Sequence, residues 1–219
     1  MIGGIFRLLD GGSVARILAG LQTGCFVDGV TTARVTAAAV KHNLQLERTG
    51  PEAGDLDQIV IRALENHTAL QDYAMPTRFV MPVFSRYEPG MGYGDHVDVS
   101  MMGGYCGVRT DLAVTIFLSP PASYDGGELV IAGQEEVKLD SGEAYVYPAT
   151  SIHHVAPVTR GVRLAAITWL QSAVRDTALR TILYDLSCAA SRANTLGDHG
   201  FSIQLLKIYH NQIRYAAEP

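Results

Sequence analysis

The 219 residues carry 47% hydrophobic and 18% charged side chains, a balance that supplies a folded core and excludes a disordered chain. The formal net charge of -5 argues against a generally basic surface that binds nucleic acid by counterion release. No apolar run reaches the roughly 20 residues that cross a bilayer, so neither nucleic acid nor membrane is an expected partner.

The length fits one domain, or one domain with a helical appendage. The start, Met1-Ile2-Gly3-Gly4-Ile5-Phe6, has neither a basic n-region nor a long apolar stretch, so no signal peptide is expected. Cys25, Cys106 and Cys188 are odd in number and scattered, with no metal-ligand spacing. They suit a reducing compartment, and a cytoplasmic location is expected.

In chain order, Asp10 or Ser13 starts a helix before Val14-Ala15-Arg16-Ile17-Leu18, and Gly20 or Gly24 ends it. Asp55 or Asp57 opens a second helix with an apolar face of Ile59, Ile61, Leu64 and Leu70. From Arg78 onward, short segments rich in Val, Ile, Thr, Phe and Tyr alternate with Gly, Pro, Asp and Ser turns. The segments 79–87, 112–118, 128–131, 144–147, 153–158 and 162–170 read as strands of an antiparallel sandwich or barrel. After Trp169 two helical stripes follow: Leu179, Ile182, Leu183 and Leu186, then Leu205, Ile208, Tyr209 and Ile213. The expected division is a mainly β domain with N-terminal helices at 1–174 and a helical extension packed on it at 175–219. The C-terminal helices also offer a surface for a homo-oligomer.

His96 and Asp98 stand two residues apart, so on an extended strand they share a face while Val97 turns away. An imidazole and a carboxylate so placed, with one distant histidine, make the facial triad of non-haem iron(II) oxygenases. His-x-Asp alone is a weak signal. The segment from Ser151 to Arg163 contains His153 and His154, and it reads as two strands turning around Thr159–Gly161. If Val158 faces Val162, then Pro157 pairs with Arg163, and His153 and Arg163 project to one side, with His154 on the other. Roughly 13 Å of strand then separates His153 from Arg163, a gap that a metal-chelating 2-oxo acid with a distal carboxylate would fill. Arg163 lies in an otherwise apolar strand, where an inward guanidinium needs an anionic partner.

Other features have plainer readings. Asp125-Gly126-Gly127-Glu128 reads as a tight turn with glycines at positive φ. Met101-Met102-Gly103-Gly104-Tyr105 reads either as a segment closing over substrate or as a surface loop. Arg109 and Asp111 either contact substrate or pair with each other. No GxSxG elbow points to a serine hydrolase.

Taken together, several blocks resemble the PKHD-type hydroxylases, bacterial relatives of prolyl 4-hydroxylase among the 2-oxoglutarate oxygenases. They are Arg86-Tyr87…Gly92-Tyr93-x-x-His96-x-Asp98, Arg109-Thr110-Asp111-Leu112…Phe117-Leu118-Ser119, Tyr124-Asp125-Gly126-Gly127-Glu128-Leu129, and Tyr147-Pro148…His153…Pro157-Val158-Thr159-Arg160-Gly161-Val162-Arg163. Trp169-Leu170-Gln171-Ser172, Leu206…Tyr209-His210-Asn211, Val27-Asp28-Gly29 and Lys41-x-Asn43 extend the similarity over nearly the whole chain.

The resemblance implies a double-stranded β-helix (jelly-roll) core and iron(II) held by His96, Asp98 and His153. It implies 2-oxoglutarate as cosubstrate, with Arg163 on its distal carboxylate, dioxygen as oxidant, and ascorbate as a supporting reductant. Related enzymes often place a tyrosine for that carboxylate on the strand containing Ile116-Phe117-Leu118. Here Thr115 is the hydroxyl on that strand, and Tyr87 is the other candidate. Met102, Tyr105 and Arg109 are the candidates for contact with a small-molecule or peptide substrate. Two other readings of the same ligands stay open at this point: a zinc-dependent hydrolase or lyase, and a non-catalytic jelly-roll binding module.

Overall fold

The structure, a computed structural model, describes residues 3–32, 38–49, 51–104, 106–133 and 135–218. The chain opens with β1 (Gly4–Arg7), helix α1 (Gly11–Thr23), β2 (Phe26–Asp28), β3 (Lys41–His42) and β4 (Leu44–Leu46). Helices α2 (Pro51–Asn66) and α3 (Thr68–Ala74) lead into β5 (Pro76–Phe79), β6 (Val83–Tyr87) and β7 (Gly92–His96). Next come β8 (Met101–Met102), β9 (Val108–Arg109), β10 (Leu112–Phe117) and β11 (Tyr124–Gly126). They are followed by β12 (Leu129–Ile131), β13 (Glu135–Val137), β14 (Glu143–Pro148) and β15 (His153–Val155). Strands β16 (Val158–Gly161) and β17 (Arg163–Ser172) precede helices α4 (Thr177–Thr195) and α5 (His199–Ala216).

The major sheet runs β1-β14-β10-β17-β6-β4-β2, with β5 also paired to β17, and the minor sheet runs β13-β12-β15-β7-β3. All of these pairings are antiparallel. The architecture is the expected jelly-roll core with N-terminal and C-terminal helices. No helix among the described residues is long and apolar enough to cross a membrane.

Strand β10 shows how sequence dictates the layers. All six of its residues, Leu-Ala-Val-Thr-Ile-Phe, are buried, because both faces of the major sheet are covered. Leu112, Val114 and Ile116 face outward to a core shared with Val14, Ile17 and Leu21 of α1 and Leu56, Val60 and Leu64 of α2. Ala113 and Phe117 face inward to a second core with Leu129, Ile131, Tyr145 and Tyr147. Asp10 caps α1 by accepting from the Ser13 backbone N–H at 2.7 Å, and the helix stops at Gly24.

Several expectations need correction. The second helix begins at Pro51 rather than at Asp55 or Asp57; proline lacks the N–H that a first helical turn leaves unpaired anyway. The segment 79–87 divides into β5 and β6, which flank different lengths of β17. The turn around Thr159–Gly161 does not fold 153–158 back onto 162–170. Instead β15 pairs with β12 and β7, β16 pairs with β11, and β17 pairs with β10, β5 and β6. Pro157 cannot donate to a ladder, so the extended run breaks there and the chain changes sheets. The N-terminal part, read as helical, also adds strands at both edges of the major sheet and at one edge of the minor sheet.

At the C-terminal end, Leu183 is buried with Met75 and Val174, and Leu179, Tyr209 and Ile213 pack against them. Ile182 and Ile208, expected on the same stripes, are exposed. Asp176 and Asp198 cap α4 and α5 by accepting from Leu179 N–H and Phe201 N–H.

Candidate metal centre

A cavity of about 530 Å³ opens between the sheets. The major sheet contributes Ser85, Tyr87, Thr115, Tyr147, Arg163 and Trp169 to its lining, and the minor sheet contributes Tyr93, His96, Leu129, His153 and Val155.

His96 on β7 and His153 on β15 are directly paired across the ladder, so both rings project to the same face. Asp98 follows two residues after His96, just beyond the strand end, and keeps to that side. One ligand atom from each of the three residues lies within 4.8 Å of the others. His153 Nε2 and Asp98 Oδ2 are 3.9 Å apart, too far for a hydrogen bond.

The ring orientations are fixed from behind. His96 Nδ1 lies 2.8 Å from the Gly94 carbonyl and His153 Nδ1 lies 3.0 Å from the Ser151 carbonyl. A carbonyl only accepts, so each Nδ1 carries the proton and each Nε2 keeps its lone pair for the cavity. Tyr93 stacks on His96 with ring centroids 3.6 Å apart, and Tyr147 meets His153 edge-on at 5.2 Å.

Electrostatics point the same way. Burial and the neighbouring His153 ring push His96 down to about 4, so its imidazole is neutral near pH 7. Burial raises the Asp98 carboxyl, while His153 and the Trp169 indole oppose that rise. Asp98 Oδ2 is buried without a hydrogen-bond partner. Two imidazoles whose Nε2 lone pairs face the cavity, beside a carboxylate oxygen without a hydrogen-bond partner, are a donor set that a divalent cation satisfies.

Arg163, at the start of β17, is paired with Tyr87 on β6 and is 1% exposed. Its guanidinium lies 5.1 Å from the Tyr87 ring and 5.3 Å from the Phe117 ring. None of its three nitrogens has a hydrogen-bond partner. A buried, unmatched guanidinium costs several kcal/mol in apolar surroundings, so an anion belongs here. Thr115 lies against the Tyr147 hydroxyl, and burial holds Tyr147 well above the usual phenol range. Burial likewise raises Tyr87, so both hydroxyls stay protonated and can donate.

Gly126 and Gly127 have φ of +72° and +68°, as the turn reading expects. A Cβ on Gly127 would stand 2.9 Å from Arg163 Cδ, so this glycine also leaves room for the arginine stem.

The remaining expected residues divide. Met102 lines the cavity, and its strand β8 pairs with β9. Tyr105 lies outside the described residues. Arg109 is not in the lining; it bonds Asp111 at 2.8 and 2.9 Å, the Ser172 carbonyl at 3.1 Å and Glu218 at 3.3 Å. It therefore ties the chain's last residues to the sheet, and the pairing with Asp111 is the alternative that the structure shows. His154 points away from the cavity to Asp95, 2.8 Å distant. Lys41, Asn43, Gln45, Tyr147 and Trp169 also line the cavity, although none was singled out as a site residue. The alternation Lys41-x-Asn43-x-Gln45 was the available signal for the first three.

Residues 82–171 match the family model of the 2OG-Fe(II) oxygenase superfamily. The chain is 45% identical over 199 residues to a PKHD-type hydroxylase of Burkholderia ambifaria (strain MC40-6), covering 88% of each chain. It is 45% identical over 206 residues to one from Paracoccus denitrificans (strain Pd 1222), covering 90% of this chain and 91% of the relative. Among solved structures, the viral collagen prolyl hydroxylase vCPH of Paramecium Bursaria Chlorella virus-1 aligns with a TM-score of 0.55 at 15% identity, over 78% of this chain and 97% of that one. A Pseudomonas putida prolyl-4-hydroxylase aligns at 0.52 and 18% identity, over 78% and 92%. These two likenesses show a shared fold. The chain therefore belongs to the PKHD-type hydroxylases, 2-oxoglutarate-dependent iron(II) dioxygenases of the 2OG-Fe(II) oxygenase superfamily.

Proposed function

We propose that the chain hydroxylates a C–H bond of a small-molecule or peptide substrate, converting 2-oxoglutarate and dioxygen to succinate and carbon dioxide. One oxygen atom enters the substrate and the other enters succinate. The observation that carries this reading is the buried Arg163, with three unmatched guanidinium nitrogens in the same cavity as His96, Asp98 and His153. A zinc hydrolase or a plain binding module leaves that guanidinium without a role.

In this reading His96, Asp98 and His153 hold iron(II), and Arg163 takes the distal carboxylate of 2-oxoglutarate in a bidentate grip. Tyr87 and Thr115 stand by that carboxylate, and Tyr147 adds a hydroxyl held in its donor form by burial. When bound, the metal and its cosubstrate supply an oxidative decarboxylation that delivers oxygen to the substrate. The protein's own contribution is orientation and exclusion of water. The carbonyls of Gly94 and Ser151 fix the imidazoles, and Val97, Val99 and Met102 give the cavity an apolar rim.

A catalytic domain at 1–174 with a helical extension at 175–219, ascorbate as supporting reductant and a cytoplasmic location go with this reading. Cys25, Cys106 and Cys188 are all exposed and unbridged, which suits a reducing compartment. Phe201, Ile203 and Ile208, exposed on α5, support a homo-oligomer formed through the C-terminal helices.

The test is turnover of 2-oxoglutarate by protein loaded with iron(II) against protein loaded with zinc(II), followed as succinate released and dioxygen consumed. Iron-dependent succinate formation is expected. Activity confined to the zinc form would sink the proposal.

A further inference from the structure

Trp169 is the chain's one tryptophan, and it lines the cavity from the major sheet. It stands six residues after Arg163 on β17. Alternate residues of a strand share a face, so both side chains border the same space. About 20 Å of strand separates their backbones, which leaves Arg163 to the opposite end. Ala113 is the cross-strand partner of Trp169 on β10, and its small side chain leaves room for the bulky ring, which packs on the inner core. The indole nitrogen is buried and has no hydrogen-bond partner. A buried indole N–H normally finds an acceptor, because it donates and cannot accept.

Asp98 is the matching acceptor. His96 and His153 are each fixed from behind by a backbone carbonyl, a device closed to a carboxylate, which also only accepts. Asp98 lies past the end of β7, outside any strand, and its Oδ2 is buried without a partner. The Trp169 N–H nevertheless acts on this carboxylate, opposing the rise that burial imposes on it. Donor and acceptor are therefore neighbours in one cavity, yet neither makes a hydrogen bond of normal geometry in the fold. Carboxylates that ligate metals are ordinarily held in turn by a hydrogen bond.

Resting on the metal-centre reading, we propose that Trp169 is a positioning residue whose indole N–H donates to the Asp98 oxygen that does not ligate the metal. The carboxylate is thereby held in its ligating orientation. One face of β17 then carries two anchors, Arg163 for the distal carboxylate of the cosubstrate and Trp169 for the ligand carboxylate. An outer partner of this kind is worth about 10- to 100-fold in metal affinity.

A single tryptophan allows the N–H to be removed alone. Protein from a tryptophan auxotroph fed β-(3-benzothienyl)alanine carries sulfur in place of the indole N–H and keeps the ring shape. Protein made with 4-fluorotryptophan keeps the N–H. Calorimetry with manganese(II) reads metal affinity, and thermal unfolding of metal-free protein reads the fold. The benzothienyl protein is expected to bind manganese(II) at least about tenfold more weakly than the unaltered chain, and the fluorotryptophan protein within about twofold of it. Trp169→Phe, which needs no analogue, should show the same loss. The two analogue proteins should share one unfolding midpoint, since the fold makes no normal hydrogen bond with this N–H. Unchanged affinity in the benzothienyl protein would overturn the proposal by giving the N–H to another acceptor. Equal losses in both analogue proteins, or a benzothienyl midpoint well below the other, would overturn it by making the ring or the fold the cause. If the unaltered chain binds neither manganese(II) nor iron(II), the metal-centre reading itself fails, and this inference with it.

Discussion

His96 and His153 stand directly opposite each other on adjacent antiparallel strands, their ring centroids 4.2 Å apart. The 56 intervening residues lead the chain through the major sheet and back, and one ladder position then sets both imidazoles on one face. His154, one residue on, is turned outward by the strand's alternation and pairs with Asp95.

That alternation gives a paired prediction. His153→Ala should abolish stoichiometric manganese(II) or iron(II) binding, measured by calorimetry, and lower turnover at least a hundredfold. His154→Ala should change both by less than about threefold, because it removes only an exposed side-chain contact with Asp95, outside the cavity and worth at most ~1 kcal/mol. Equal damage from the two substitutions would show that the ladder register does not select the ligand.

Arg163→Met should act in opposite directions on binding and stability. Losing a bidentate, charge-assisted grip worth roughly 3 kcal/mol raises the KM for 2-oxoglutarate about a hundredfold. Without ligand, replacing an unmatched buried charge by a hydrophobic side chain should stabilise the fold, by about 1–4 kcal/mol. Steady-state kinetics and denaturant titration of the ligand-free protein measure the two effects. A destabilised Met variant would mean that the guanidinium has a structural partner.

Gly127→Ala should resemble a weak Arg163 variant. The new Cβ would sit 2.9 Å from Arg163 Cδ and 3.0 Å from Val158 Cγ2, on a backbone with φ of +68°. The left-handed conformation costs about 1–2 kcal/mol for a residue with a side chain, and the arginine must also shift. We expect a lower melting temperature together with a KM for 2-oxoglutarate raised about fivefold. Calorimetric binding of 2-oxoglutarate to manganese-loaded protein separates the second effect from the first.

Arg109→Ala should damage stability without touching chemistry. It removes the guanidinium that joins Asp111, the Ser172 carbonyl and Glu218, a loss of about 1–2 kcal/mol. For a chain of this size the melting temperature should fall by about 4 °C. KM values for 2-oxoglutarate and substrate should stay within about twofold. A marked rise in the substrate KM would instead put Arg109 in contact with substrate.

Strand alternation made part of this site legible in the residues themselves. His96 and Asp98 share a face at their spacing of two, and Arg163 drew attention as a charge in an apolar strand. His153 was also chosen, but through a hairpin that does not exist; its real partners are β7 and β12. Lys41 and Asn43 entered only as part of the family resemblance, and they and Gln45 were not singled out as lining residues, because strands of two or three residues give too little periodicity to register.

By itself, then, the sequence determined the donor types, their alternation and the β character of the middle of the chain, since these depend on neighbours a few positions apart. Only the tertiary structure decided which strands lie side by side. That choice depends on long-range pairing and on breaks such as the one at Pro157, which residue spacing does not encode. It put His153 across from His96, enclosed Arg163 between Tyr87 and Phe117, carried Arg109 away to the C-terminal residues, and drew Lys41 into the cavity beside the metal site.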